Sequence, residues 1–132
     1  PFAEALRENN VMHAYILHSD DGMDEISPFA KTNVIELKNK KINEFIIDPK
    51  DLGIYGGDKN NLKGKDALYN AERIIEIFKG QSNEFSQAVA LNVAAGLIVA
   101  DKENEFKTAF EKAKKYLNSG KVNQHLNKLQ SI

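Results

Sequence analysis

The stretch NEFSQAVALNVAAGLIVAD, residues 83–101, limits this chain more than any other, because it has helical composition and is apolar nearly all round. A helix without a polar face has to be covered on most of its sides. Its apolar run, 88–100, falls short of the ~20 residues that cross a bilayer and is interrupted by Asn92. The neighbours must therefore come from protein. Two flanking segments have the right pattern: ALYNAERIIEIFKG places Leu68, Ala71, Ile74, Ile75 and Phe78 on one face, and ENEFKTAFEKAKKYLNSG repeats Phe106, Ala109, Phe110, Ala113 and Leu117 three and four apart. A last short helix carries Val122, Leu126 and Leu129. Each large aliphatic side chain withdrawn from water contributes ~1.5–3 kcal/mol, and these helices with one hairpin are not expected to cover the 83–101 stretch completely.

The first half reads differently. PFAEALREN is a short helix ending at Asn9-Asn10, and VMHAYILHS is a strand apolar on both alternating faces, Ala14 and Ile16 on one and Tyr15 and Leu17 on the other. That pattern predicts a buried strand in parallel pairing. TNVIELKNKKINEFIID gives two β-rich runs about Asn39-Lys40, a hairpin signal. PKDLGIYGGDKNNLKGKD then reads as an irregular connection. The expected class is α/β: part of a sheet with a buried parallel strand and a β-hairpin, packed by several C-terminal helices, as in a fragment of a larger α/β domain.

Composition excludes several chemistries. There is no cysteine, which removes thiolate nucleophiles, thiolate metal sites and disulfides and is compatible with a cytoplasmic location. The formal net charge of −1 gives no global field directed at nucleic acid or an anionic membrane.

Charge is instead concentrated locally. HSDDGMDEIS, residues 18–27, sets Asp20, Asp21, Asp24 and Glu25 within six positions at the end of the strand, close enough to repel one another. Loops leaving the carboxyl ends of α/β strands are where ligands bind. Magnesium is commonly held by one or two carboxylates together with substrate phosphates, and adjacent Asp24 and Glu25 are suited to that. The competing reading makes Asp20-Asp21-Gly22 a solvated turn and Asp24-Glu25 the acidic first turn of a helix. A calcium hand is excluded by the spacing. His13, His18 and His125 form no ligand pair, and His18 reads as a packed strand-end residue. Ser19 and Ser27 sit in no nucleophile elbow, and the glycines and lysines of YGGDKNNLKGK do not make a phosphate loop. Asn92, inside an apolar helix, needs hydrogen-bond partners and is expected to pin a loop.

Taken end to end, the chain resembles the C-terminal part of the anthranilate phosphoribosyltransferases. HSDDGMDEIS is similar to that family's strand-ending His-Gly-x-Asp-Gly-Leu-Asp-Glu-Ile-Ser segment. Thr32 and VIELKNKKINEFIIDPKDLGI resemble its hairpin ending in Asp-Pro-x-Asp-x-Gly, and LKGKDALYNA, VALNVAAGLIVAD and LNSGKVNQHLNKL resemble later segments. The resemblance implies transfer of the phosphoribosyl group of phosphoribosyl pyrophosphate to anthranilate. Magnesium, bound with the pyrophosphate, would be held by Asp24 and Glu25, which explains the crowded carboxylates. It also implies that residues 1–132 are the C-terminal portion of the phosphoribosyltransferase α/β domain. The family's Gly-Thr-Gly-Gly-Asp loop, Lys-His-Gly-Asn segment, anthranilate-binding arginine and N-terminal dimerising domain are expected upstream of Pro1, so these residues contain no catalytic residue and are expected to be inactive alone. Ser19 replaces a usual glycine, and Phe29-Ala30-Lys31 replaces a Leu-Thr-Gly-Pro-like stretch. Two alternatives stay open: a fragment of a related nucleoside phosphorylase, which would act without magnesium at Asp24 and Glu25, and a non-catalytic domain of the same fold.

Overall fold

A computed structural model describes all residues 1–132. Helix α1 (Phe2–Glu8) leads into three strands, β1 (His13–Ser19), β2 (Thr32–Lys38) and β3 (Lys41–Ile47). Four helices follow: α2 (Ala67–Phe78), α3 (Glu84–Val99), α4 (Phe106–Asn118) and α5 (Lys121–Leu129). The irregular connection contains two short 3-10 turns, Pro49–Leu52 and Lys59–Leu62.

The sheet has the order β1-β2-β3 and is antiparallel throughout, with Ser19 opposite Thr32 and Leu17 opposite Val34. The α/β character, the hairpin and the C-terminal helices agree with the sequence pattern. The parallel pairing expected of β1 is not made; its one partner is β2, and it runs antiparallel. Tyr15 and Leu17 of β1 pack against the core formed with α3, and α1 also contacts the strand, so its apolar residues are used here by helices rather than by a parallel neighbour. Between β2 and β3 the chain reverses through Asn39 (φ 49°) and Lys40 (φ 66°), both left-handed, the backbone of a tight two-residue hairpin turn that asparagine accepts readily.

Helix α3 occupies the centre. Leu91 and Ala94 are fully buried, and Ala90 and Ile98 nearly so, against Ala109, Phe110 and Ala113 of α4 and Val34 and Ile47 of the sheet. Its start is fixed by a reciprocal cap, Asn83 Oδ1 accepting from Ser86 N and Ser86 Oγ from Asn83 N. Cover is incomplete, as expected: Val93 is 46% exposed. Helix α2 does not bury the predicted face. Leu68, Ala71 and Ile74 are exposed and Ile77 is the buried residue. Only the C-terminal end of α2 is clamped, by α4 and α5, where Gly80 (φ 103°) passes so close to Asn118 that an added Cβ would sit 2.6 Å from its carbonyl oxygen. At the opposite end of the sheet the His13 side chain is buried and its Nε2 bonds to Glu36 at 2.9 Å, joining β1 to β2, while its Nδ1 lies 3.4 Å from Asp101 just beyond α3. Burial, then the nearby Glu36 carboxylate, push the neighbouring Tyr15 hydroxyl up to about 12. No helix is long and apolar enough to cross a membrane.

Candidate functional site

Residues 20–31 are the connection between β1 and β2, and the antiparallel pairing Ser19↔Thr32 sets the width of its base. Ser19, Ser27 and Thr32 are all fully buried there. The Ser19 hydroxyl donates to the carbonyl of Glu25 at 2.7 Å. Because a hydroxyl has one hydrogen, the 2.6 Å contact with Thr32 Oγ1 requires Thr32 to donate to Ser19. The Ser27 amide is shared between the same two oxygens, at 3.2 and 3.3 Å.

The four carboxylates separate into two kinds. Asp20 accepts from Asn33 Nδ2 at 2.8 Å. Asp21 accepts from Ser27 Oγ (2.8 Å) and Met23 N (3.2 Å), and the Lys59 ammonium bonds its carbonyl at 2.7 Å while lying 3.3 Å from its carboxylate. Burial pushes the Asp21 carboxyl up, but the hydrogen bonds from Ser27, Met23 and Lys59 outweigh it and hold it below its ordinary value. Asp24 and Glu25 are exposed, and neither side chain has a hydrogen-bond or ion-pair partner. The turn at Asp20-Asp21-Gly22 exists, closed by Gly22 N on Ser19 O at 2.9 Å with Gly22 at φ 85°, but no helix begins at Asp24. The pair projects from irregular backbone.

That backbone is held from the far side by Asn92. Its Oδ1 accepts from Ile26 N at 3.0 Å, and its Nδ2 donates to Ile26 O at 3.2 Å and to Ala88 O at 2.9 Å. The loop expected to be pinned by this asparagine is thus the acidic one. Beside Glu25 and Asn92 an open cleft of ≈ 520 Å³ is lined by Met23, Leu62, Phe85, Val89 and Val93. His18, expected to be packed, is exposed, while His13 is the histidine held in structure. No group of three or more His, Cys, Asp or Glu is arranged to hold a metal by itself. Two free carboxylates instead suit a hard cation that completes its shell with water and phosphate oxygens.

The sequence singles out Asp24 and Glu25, which stand unpaired on the loop, and Asn92, which pins it; Ser19 and Ser27 are weighed there as nucleophiles and rejected, and their role as braces, with that of Thr32 and Lys59, is missed. Small hydroxyl residues on both sides of an acidic loop were the available signal for Ser19, Ser27 and Thr32. For Lys59, far along an irregular connection, there was none.

A domain of this fold, with an acidic strand-end loop braced by the central helix, defines a class: the chain belongs to the glycosyl transferase family, a/b domain, which it matches over residues 1–123. Within that class it is 47% identical over 131 residues to the anthranilate phosphoribosyltransferase of Pelagibacter ubique, covering 99% of this chain and 40% of the relative. It superposes on the anthranilate phosphoribosyltransferase of Thermus thermophilus with a TM-score of 0.85 and 27% identity, covering 97% of this chain and 37% of that one. The Saccharomyces cerevisiae enzyme in complex with PRPP and Mg has the same fold, with a TM-score of 0.76 and 21% identity over 87% of this chain and 33% of its own. The chain therefore spans about two fifths of the length of the relatives it matches.

Proposed function

We propose that residues 1–132 are the C-terminal portion of a phosphoribosyltransferase α/β domain. The full-length protein transfers the phosphoribosyl group of phosphoribosyl pyrophosphate to anthranilate, a step of tryptophan biosynthesis. The C1–O bond to pyrophosphate breaks, the C1–N bond forms, and the amine loses a proton. The observation that carries this reading is the separation of the acidic loop into a braced half and a free half: Asp24 and Glu25 are exposed and unpaired, and the backbone that follows them is bonded by Ser19 and Asn92. Further support comes from the 47% identity to an anthranilate phosphoribosyltransferase and from the yeast enzyme's complex with PRPP and Mg.

In this reading Asp24 and Glu25 hold the magnesium. Bound there, the cation supplies positive charge against which pyrophosphate can leave. The chain's own contribution is to keep two like charges adjacent and aimed outward. Ser19, Thr32 and Asn92 hold the backbone, while Asp20 and Asp21 are drawn aside onto Asn33, Ser27 and Lys59 so that they do not compete for the cation. Dimerisation outside these residues and a cytoplasmic location belong to the same proposal.

The test follows loss of anthranilate fluorescence on addition of phosphoribosyl pyrophosphate and magnesium to the full-length protein carrying this segment. Consumption of anthranilate, reduced on the order of 100-fold or more by Asp24→Asn with Glu25→Gln, is the expected result. A full-length protein that ignores anthranilate but cleaves a nucleoside with phosphate would replace this reading with the phosphorylase one.

A further inference from the structure

We infer that Asn92 of α3 is a positioning residue for the cation-binding pair. This inference rests on the assignment of magnesium to Asp24 and Glu25. Two consecutive peptide units, Glu25–Ile26 and Ile26–Ser27, follow the pair, and each is tied at both its carbonyl and its amide by side chains from elsewhere in the fold. Ser19 takes the Glu25 carbonyl, Asn92 takes both the amide and the carbonyl of Ile26, and Ser19 with Thr32 takes the Ser27 amide. Ser19 and Thr32 belong to the sheet, so among these side-chain hydrogen bonds only those of Asn92 join the loop after the pair to the helical layer, beside the apolar packing of Ile26.

The chemistry of that connection is specific. A carboxamide offers a donor and an acceptor side by side, which matches the amide and carbonyl of one residue in extended backbone. The second Nδ2 hydrogen goes to Ala88 O, one turn back on α3, and this locks the carboxamide plane. Asn92 therefore fixes the orientation of the Ile26 peptide units as well as their distance from α3. Ile26 is fully buried beneath them, so the loop has no slack in which to compensate. Asn92 also borders the cleft that Glu25 lines, so the helix face that holds the loop and the wall of the cleft are one surface. An apolar residue of similar size would fill the space yet leave the Ile26 amide and carbonyl without partners.

Outer partners of metal ligands typically change metal affinity by about 10–100-fold when removed. In the full-length protein, Asn92→Ala should raise the magnesium concentration for half-maximal rate by about 10-fold or more, with a smaller effect on the rate at saturating magnesium. Binding of manganese in the presence of pyrophosphate, read from water-proton relaxation without turnover, should weaken by the same factor. Asn92→Asp keeps an acceptor for the Ile26 amide but sets a carboxylate against the Ile26 and Ala88 carbonyls, so it should shift both readouts at least as far. Amide exchange of Ile26 in the unsubstituted protein needs no variant that folds: it should be as slow as that of the core of α3, although Ile26 lies in a loop. A fast-exchanging Ile26 amide, or variants with lower melting temperature and unchanged cation dependence, would overturn the inference. If Asp24→Asn with Glu25→Gln also leaves manganese binding unchanged, the assignment of the metal falls first; if that pair abolishes binding and Asn92→Ala does not alter it, only the role of Asn92 falls.

Discussion

Asp20-Asp21 and Asp24-Glu25 are two acidic pairs on one loop, separated by Gly22 and Met23, and the fold treats them in opposite ways. The first pair is consumed by structure: Asn33, Ser27, Met23 and Lys59 all bond to it. The second pair is left to solvent while the backbone after it is bonded at every polar group from the Glu25 carbonyl to the Ser27 amide. Side chains that are satisfied stabilise the loop; side chains that are free on a rigid backbone are available for a ligand. Acidity alone therefore does not distinguish the two pairs, whereas the absence of side-chain partners does.

Substitutions can break that contrast in graded steps. The largest effect falls on the free pair: Asp24→Asn with Glu25→Gln should abolish most activity yet change stability by no more than about 0.5 kcal/mol, as for surface positions generally. Thermal melting alongside the anthranilate assay checks both halves. Next comes Ser19→Ala, which leaves the Glu25 carbonyl and the Thr32 hydroxyl without their buried partner and should cost about 1–3 kcal/mol by denaturant titration.

Asp21→Asn should come lower. It keeps the loop's shape but weakens the bonds from Lys59 and Ser27, by about 1 kcal/mol, without altering the magnesium requirement. The same carboxylate has a pH signature. Its pKa is depressed in the folded protein, so its contribution is complete above the unfolded value of about 3.9 and is lost as pH falls through the lower folded value. Melting temperature should therefore fall less steeply in that acid range for Asp21→Asn than for the unsubstituted protein. Smallest is Lys59→Met, since Lys59 is half exposed; about 0–1 kcal/mol is expected.

Much of the fold was legible in residue order, because local rules govern it. Helical periodicity found α4 and its buried Ala109, Phe110, Ala113 and Leu117, and the polarity of Asn92 inside an apolar helix announced that it had to bond something. Long-range placement was not legible. Two-sided apolar character in β1 suggested parallel neighbours, whereas the strand pairs antiparallel with β2 and packs against α1 and α3. In α2 periodicity gave a stripe, but tertiary packing selected only its C-terminal end, at Ile77. The braces of the acidic loop come from positions as distant as Lys59 and Asn92, and no local pattern in HSDDGMDEIS specifies them.

Direct cation binding tests the central claim most sharply. Manganese would be titrated into the full-length protein with pyrophosphate present, for the unsubstituted chain and for Asp24→Asn with Glu25→Gln, with Asp20→Asn and Asp21→Asn as the matched control. The expected result is binding that is lost when the free pair is changed and retained when the braced pair is changed. Equal binding in all three would contradict the assignment of Asp24 and Glu25 and return the acidic loop to a structural turn.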